Sequence, residues 1–452
     1  MNKKISFKLL FVLLFFILYI TNIYASEPPS LYCNSAILVD NDSGKILYGL
    51  NENEKVYPAS TTKVLTAILT LENLKLSDST VVTKTAVQLP YGSSNAALKE
   101  GEVMTIEDLL YAMMLKSGND AANVLAEAVS GTIDKFVLLM NEKAKEIGCI
   151  NTNFTNTHGY HDDNHYTTPQ DMMKILSYAI KNETFVKIFS TSSYTISSTN
   201  KTNNERVYQN TNRLILKKED SYLSRYYEYC IGGKTGYTDE AGRTLVAYSK
   251  KDDKNLILGV FNSNPSGIED LRYTDSINLF EYGFNNFEKT KILIKDDYSF
   301  SYRNNENNMI YDYSISDDIY SLSNTAETNE LTIIDYNVSL DYDKLNKYDI
   351  NTTEYKKQVV GNIKITFSQN SSTYDKKYDL VLDHMKKIPW LDRESTQELL
   401  INTLITIIVT FGIFILLKIS LKLLFKKNSR KKATAIHRKK KIKYKSRRKR
   451  QV

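Results

Sequence analysis

Pro58-Ala59-Ser60-Thr61-Thr62-Lys63 stands where a polar segment, Asn51 to Tyr57, gives way to the apolar run Val64-Leu65-Thr66-Ala67-Ile68-Leu69. That change predicts a helix starting near Ser60 and ending around Asn73. Lys63 then falls on the Ser60 face, one turn along, so its amine reaches the serine hydroxyl. A serine hydroxyl is a poor nucleophile until a base takes its proton, and a desolvated lysine amine is such a base. The helix N-terminus adds partial positive charge where an oxyanion would form. The spacing alone is weak. Ser198–Lys201, Ser429–Lys432 and Ser446–Lys449 repeat it in a loop and a charged tail, and a surface serine explains any single copy.

The bulk numbers bound the answer. The chain has 452 residues, more than one domain's usual share. Its charge is partitioned: residues 1–25 hold three Lys and no acid, and from Lys418 onward there are 17 Lys and Arg and no acid. All 52 Asp and Glu therefore lie in 26–417, which is net acidic. Met1-Asn2-Lys3-Lys4, an apolar core from Leu9 to Ile20 and then Ile23-Tyr24-Ala25 read as a secretory signal peptide, residues 1–25, with an uncleaved membrane anchor as the alternative. Leu399 to Leu417 is a second apolar run, uncharged over its 19 residues. At ~1.5 Å per residue it reaches about 28 Å as a helix, close to the hydrocarbon thickness.

Trp390 lies in a juxtamembrane linker, 389–398, and the basic segment 418–452 follows the apolar run directly. The positive-inside rule predicts one C-terminal transmembrane helix with a cytoplasmic tail and an extracytoplasmic acidic body. Anionic lipid is enough to explain the tail, so no nucleic-acid partner is expected. Cys33, Cys149 and Cys230 are too sparse for a disulfide framework and leave their pairing open.

Within the body, Ser35 to Asp40 and Lys45 to Tyr48, joined by Asn41-Asp42-Ser43-Gly44, predict a hairpin. Thr105-Ile106-Glu107-Asp108 resembles a capping box with Asp as its closing residue and opens the helix Leu109 to Leu115. Ala121 to Val129, Ile133 to Ile147 and a segment from Pro169 to Ile180 predict further helices. Residues 77–98 read as short strands and turns, and Ile196 to Lys218 as irregular. Thr244 to Ser249 and Leu256 to Phe261 predict antiparallel strands across the turn Lys251 to Lys254, with Lys234-Thr235-Gly236 on the strand before them. A helix from Ile268 to Tyr282 closes the domain at Gly283. From Lys291 to Lys387, period-two alternation without a helical run argues a small all-β, sandwich-like domain. His158, His161 and His165, near Asp162 and Asp163, can in principle ligate zinc, against a reading as a polar loop beside an active site.

Three elements now stand in order: Ser60-Thr61-Thr62-Lys63, Ser117-Gly118-Asn119 and Lys234-Thr235-Gly236. Together they resemble the motif set of the penicillin-recognising serine enzymes. The longer stretches Tyr57 to Lys63, Leu115 to Ala122 and Gly232 to Thr238, with His158-Gly159 and Asn210-Thr211-Asn212, are similar to the low-molecular-mass penicillin-binding proteins of the D-alanyl-D-alanine carboxypeptidase type. The resemblance covers 35–285 and extends weakly to Val360-Gly361-Asn362-Ile363.

It implies an α+β, serine β-lactamase/transpeptidase-like domain over 26–288, an antiparallel sheet with helices. The all-β domain over 289–388 and the transmembrane helix 399–417 then follow. It also implies an activity without cofactor or metal. Ser60 would attack the carbonyl between the last two D-alanines of a peptidoglycan stem peptide, and Lys63 would take its proton. Ser117 would pass a proton to the leaving D-alanine. Asn119 would offer its amide to the substrate, while Lys234 and Thr235 would hold the terminal carboxylate. Gly236 would let the substrate backbone lie along the strand, and the N–H groups of Ser60 and Tyr237 would form an oxyanion hole. β-Lactams would acylate Ser60 as inhibitors, at a bacterial cell membrane. Three rivals stay open: a β-lactamase with the same nucleophile, a metal peptidase built on the histidines, and an inactive wall-binding protein. No Glu-x-x-Leu-Asn element of the class A β-lactamases is found.

Overall fold

Strand β1, Cys33–Asp40, alternates between two cores: Ile37 and Val39 face one, Ala36 and Leu38 the other. A strand covered on both faces has no polar side, which is why this segment reads as a continuous apolar run. With β2 (Ile46–Leu50), β3 (Cys230–Thr238), β4 (Gly242–Lys251) and β5 (Lys254–Ser263) it forms an antiparallel sheet in the order β2-β1-β5-β4-β3. Lys234 pairs with Val246, Thr235 with Leu245 and Gly236 with Thr244. The expected motif strand is therefore an edge strand, with one side free to meet a ligand.

This computed structural model describes residues 27–263, 269–293, 295, 299–304, 309–324, 332–369 and 372–387. The expected signal peptide, juxtamembrane linker, transmembrane helix and basic tail lie outside them. Among the described residues no helix is long and apolar enough to cross a membrane.

One face of the sheet carries α1 (Lys63–Asn73), α2 (Ile106–Leu115), α3 (Asn119–Ser130), α4 (Ile133–Ile147), α5 (Pro169–Ala179) and α6 (Glu183–Ser190). The other carries α7 (Arg272–Asn286), whose Leu279, Phe280 and Phe284 pack on Leu245, Leu256 and Leu258. Every residue of α1 from Lys63 to Thr70 is buried. A helix covered all round lies at the centre of its layer, which brings the start of α1 into the interior. Thr105, Thr132 and Thr168 cap α2, α4 and α5 through their hydroxyls, and Gly131 and Gly148 end α3 and α4 in the left-handed region.

Several boundaries differ from expectation. The Thr105 cap forms, but Asp108 does not close the box, because its carboxylate accepts from Tyr194 Oη at 3.0 Å. α3 starts at Asn119, two residues before the expected Ala121. α7 starts at Arg272 and runs beyond Gly283 to Asn286. A short helix, Lys84–Val87, lies where strands and turns were expected, and the stretch expected to be irregular contains part of a hairpin, Ser193–Ile196 with Arg206–Gln209. The three cysteines are unpaired.

The chain divides into two units, Met1–Phe300 with Asp312–Asp383, and Ser301–Tyr311 with His384–Val452. In the first unit, β6 (Glu288–Leu293) pairs with β7 (Ile319–Ser323). β8 (Thr332–Leu340), β9 (Val359–Gln369) and β10 (Ser372–Lys387) form an antiparallel set in that order, β9 pairing with the Ser372–Val381 part of β10, which belongs to this unit. A single helical turn, Tyr342–Leu345, interrupts the all-β pattern. Buried Asp40 ties β7 to the end of β1, accepting from Leu322 N at 3.0 Å and Ser43 Oγ at 2.5 Å. In the second unit Tyr302 stacks on Tyr311.

Candidate active site

Ser60 sits in a 3-10 turn, Ala59–Thr62, and the α-helix proper begins only at Lys63. This differs from the expected helical Ser60 and brings the two closer, because residues i and i+3 eclipse in a 3-10 turn. Lys63 Nζ lies 2.8 Å from Ser60 Oγ. It also donates to Asn119 Oδ1 at 2.8 Å and to the carbonyl of His158 at 2.9 Å. Lys63 is fully buried, and burial first, then the Lys234 charge, pushes its pKa well below the ordinary lysine range against a smaller opposing effect of Asp120. A neutral amine has two N–H groups and one lone pair. The amide oxygen and the carbonyl can only accept, so they take both N–H groups and the lone pair is left for the Ser60 hydroxyl.

The turn is braced from two sides. Thr62 Oγ1 donates to Ala59 O at 2.8 Å and meets His165 Nε2 at 2.9 Å. Gly159, at φ +85°, packs so closely that a Cβ there would run into the Ala59 carbonyl. Asn156 Oδ1 accepts from Gly159 N at 2.7 Å and holds the loop whose carbonyl grips Lys63. Gly236 approaches from the sheet: a Cβ on it would lie 2.9 Å from Ser60 N and collide with Thr244 Oγ1. Glycine is thus demanded at 236 by the serine turn itself, apart from any substrate.

Ser117 follows α2 at φ +63°, a left-handed conformation rare for serine. Its Oγ accepts from Lys234 Nζ at 3.0 Å. Lys234 is fully buried, donates also to Thr235 O at 3.0 Å, and is held down to about 7 by burial and then by the Arg272 charge. Ser117, expected between the two lysines, hydrogen-bonds Lys234, while the hydrogen-bond partners of Lys63 are Ser60, Asn119 and the His158 carbonyl. Asp120 holds the loop opposite, accepting from Ala96 N at 2.8 Å and Leu98 N at 3.1 Å.

These groups border a cleft of about 1150 Å³, lined by Ser60, Ser117, Asn119, Thr235, Gly236 and Tyr237 among others. All eight residues singled out in the sequence are gathered within or directly behind it. Lys63 and Lys234 stand behind the lining, not in it. Tyr237 has an exposed ring whose Oη donates to Asp239 Oδ1 at 2.9 Å.

The three histidines do not converge. His165 Nδ1 accepts from Thr155 N at 3.0 Å while Nε2 meets Thr62, and His158 Nδ1 accepts from Tyr160 N at 3.1 Å. Burial lowers both, His165 to about 3. His161 packs edge-on against Tyr57. Among the described residues no group of three His, Cys, Asp or Glu is placed to hold a metal. Sequence reasoning gave no role to the His158 carbonyl, Thr211 or Arg272. A backbone acceptor leaves no mark in composition, Thr211 lies inside Asn210-Thr211-Asn212 with no role of its own implied there, and the isolated Arg272 carries no spacing signal.

Residues 22–265 match the family model Peptidase_S11, D-alanyl-D-alanine carboxypeptidase. The chain is 35% identical over 259 residues to the D-alanyl-D-alanine carboxypeptidase DacF of Bacillus subtilis, covering 56% of this chain and 62% of that protein. It is 30% identical over 273 residues to a D-alanyl-D-alanine carboxypeptidase of Streptomyces sp. strain K15, covering 58% of this chain and 90% of that protein. Against the crystal structure of a D-alanyl-D-alanine carboxypeptidase from Mycobacterium tuberculosis the TM-score is 0.52 at 29% identity, covering 58% of this chain and 95% of that one. Against the Streptomyces K15 DD-transpeptidase structure the TM-score is 0.52 at 30% identity, covering 57% and 100%. The chain spans less than two thirds of the Bacillus subtilis protein.

Proposed function

The chain belongs to the peptidase S11 family of D-alanyl-D-alanine carboxypeptidases, and from that premise we propose that it removes the terminal D-alanine from peptidoglycan stem peptides through an acyl-enzyme on Ser60. The observation that carries this is the buried Lys63 amine 2.8 Å from the Ser60 hydroxyl, with the Asn119 amide oxygen and the His158 carbonyl, which can only accept, as its other partners, so that in its neutral form the lone pair falls to Ser60. Lys63 takes the Ser60 proton as Oγ attacks the carbonyl carbon. The oxyanion meets the N–H groups of Ser60 and Tyr237. Ser117, held by Lys234, delivers a proton to the departing amine. Because the Oδ1 of Asn119 faces Lys63, its NH₂ is turned to the substrate. Lys234 acts on the terminal carboxylate at one remove, through Thr235 and Ser117. Water then hydrolyses the ester, freeing a shortened stem and restoring Ser60.

The setting we propose is a bacterial cell membrane, with the catalytic domain outside and a single C-terminal helix, 399–417, as tether. The signal-like N-terminus, the uncharged apolar run and the basic segment after it support this. β-Lactams would be inhibitors that acylate the same serine.

Labelled penicillin tests the reading. The full chain is expected to carry it on Ser60, located by mass spectrometry, and Ser60→Ala should lose both labelling and D-alanine release. Rapid turnover of the drug would favour a β-lactamase. Stable drug binding without any peptidase turnover would favour an inert wall-binding protein. Release stopped by chelator but not by penicillin would favour the metal reading.

A further inference from the structure

Asp120 is a buried acid in the first turn of α3, next to Asn119, whose amide oxygen holds Lys63. Two other buried acids, Glu102 and Asp171, pair with Arg206 and Lys174. Asp120 is held differently: its hydrogen-bond partners among the described residues are all backbone N–H groups. Its Oδ1 accepts from Ala96 N at 2.8 Å and Ala121 N at 2.9 Å. Its Oδ2 accepts from Ala96 N at 3.0 Å and Leu98 N at 3.1 Å. Dipoles of this kind satisfy both oxygens of the carboxylate without cancelling its charge as a cation would.

These contacts fasten one wall of the cleft. Ser94 and Asn95 line the cavity, and the segment they begin is seamed to the Ser117-Gly118-Asn119 turn. Asn119 N donates to Ser94 O at 2.9 Å, and one residue on Asp120 takes the N–H groups of Ala96 and Leu98. Tyr208 Oη donates to Ala96 O at 2.6 Å, so Ala96 is gripped at its N–H by one side chain and at its carbonyl by another. The two segments touch closely: a Cβ on Gly118 would lie 2.8 Å from the Ala96 side chain. Ser117 keeps its left-handed backbone in this seam, a conformation that persists where the surroundings over-determine it.

We propose that Asp120 is a positioning residue of the reaction: its carboxylate fastens segment 94–98 to the Ser117–Asn119 turn, which keeps the Asn119 amide oxygen on Lys63, and its unpaired charge bears on the Lys63 amine. The proposal rests on the reading of Lys63 as the base for Ser60. Its two parts are separable. The seam fixes geometry, so its loss lowers the rate at every pH. The charge acts on the proton. The charged and titratable groups around Lys63 are Lys234 from β3, His158 and His165 from the loop before α5, and Asp120 from α3. Burial holds both histidines low and therefore neutral, and of these groups Asp120 alone is negative. A negative neighbour favours the ammonium form, so removing it lets Lys63 become neutral at lower pH.

The test is the pH profile of penicillin acylation at Ser60, measured on the full chain for wild type, Asp120→Asn and Tyr208→Phe. Asp120→Asn turns an NH₂ toward backbone N–H groups and removes the charge. Its plateau rate is expected to fall by about 100-fold, and its acid limb to move to lower pH. Tyr208→Phe frees the Ala96 carbonyl and leaves the charge in place, so its rate is expected to fall by about 5-fold with the limb unmoved. An Asp120→Asn limb that stays in place or moves upward overturns the proposal and marks Asp120 as merely structural. A Tyr208→Phe limb that moves as far as the Asp120→Asn limb also overturns it, because loosening alone would then explain the shift. Should Asp120→Asn not fold, Asp120→Glu decides, since it keeps the charge and displaces the grip. A fall of about 10-fold with the limb in place supports the proposal, and full activity overturns it. A wild type that is acylated at Ser60 without any acid limb overturns the reading of Lys63 as base. A wild type that does not take penicillin at all overturns the carboxypeptidase reading and this proposal with it.

Discussion

Two lysines are fully buried within one site, and burial holds Lys234 at about 7 and Lys63 well below its ordinary range. The same desolvation that lowers the Lys63 pKa weakens the fold. A folded-state pKa below the unfolded value means that the unfolded chain binds more protons between the two, so stability rises with pH across that window. For Lys234 the window runs from about 7 to the ordinary 10.5. Lys234→Met removes the penalty. It should be more stable than wild type near pH 7 in denaturant unfolding, and the gap should close as pH approaches 10. The variant should also be slow, because Ser117 loses its partner. Its residual penicillin acylation should show an acid limb at higher pH than wild type, since the Lys234 charge is one cause of the lowered Lys63. A limb that stays in place would mean that burial alone sets the base.

At the scale of elements, the serine turn depends on how closely its neighbours approach. Gly159 stands at φ +85° with the Ala59 carbonyl where a Cβ would be. Gly159→Ala must shift either the turn or the loop that carries the His158 carbonyl. We expect penicillin acylation to fall by at least about 100-fold while the protein remains folded by circular dichroism. Unchanged acylation would show that the turn tolerates displacement.

Much of this architecture was legible in the sequence. The β1–β2 hairpin, the Thr105 and Thr168 caps, the α4 boundaries and the β4–β5 turn follow from local rules, and the three motifs carry the site. What was not legible depends on tertiary context. α6 is a short segment whose Phe185, Ile188 and Phe189 are buried only because α6 packs into the core. The Ser193–Ile196 hairpin strand places Tyr194 to stack on Tyr111 and to donate to Asp108, and no spacing in the chain announces that pairing. The three histidines share one loop in sequence, yet hydrogen bonds to backbone N–H groups orient His158 and His165, His165 also meets Thr62, and His161 packs on Tyr57.

Across the whole molecule, the serine domain and the strands after residue 288 are joined at Asp40. Its carboxyl is 1% exposed and accepts from Leu322 N, Ser43 Oγ and Asp42 N, and the Ser43 hydroxyl in turn accepts from Ser321 Oγ at 3.0 Å. Lys376 on β10 donates to Asn41 O in the same turn. This polar junction lies at the Asp40 end of β1, and none of its residues lines the cleft. Asp40→Ala leaves the buried N–H of Leu322 and the hydroxyl of Ser43 without their acceptor, a loss of about 1–3 kcal/mol for each buried group left unsatisfied. Asp40→Asn keeps an acceptor oxygen and should cost less. Burial raises the Asp40 pKa, so the ionised form is the strained one, and stability contributed here should decline as pH rises through that raised value. Hydrogen exchange resolves the consequence: in Asp40→Ala the amides of 319–323 should exchange faster, while kcat/KM on a small D-Ala-D-Ala peptide stays within about 2-fold. If activity collapsed together with that protection, the C-terminal strands would be part of what holds the catalytic groups in register, not an appended layer.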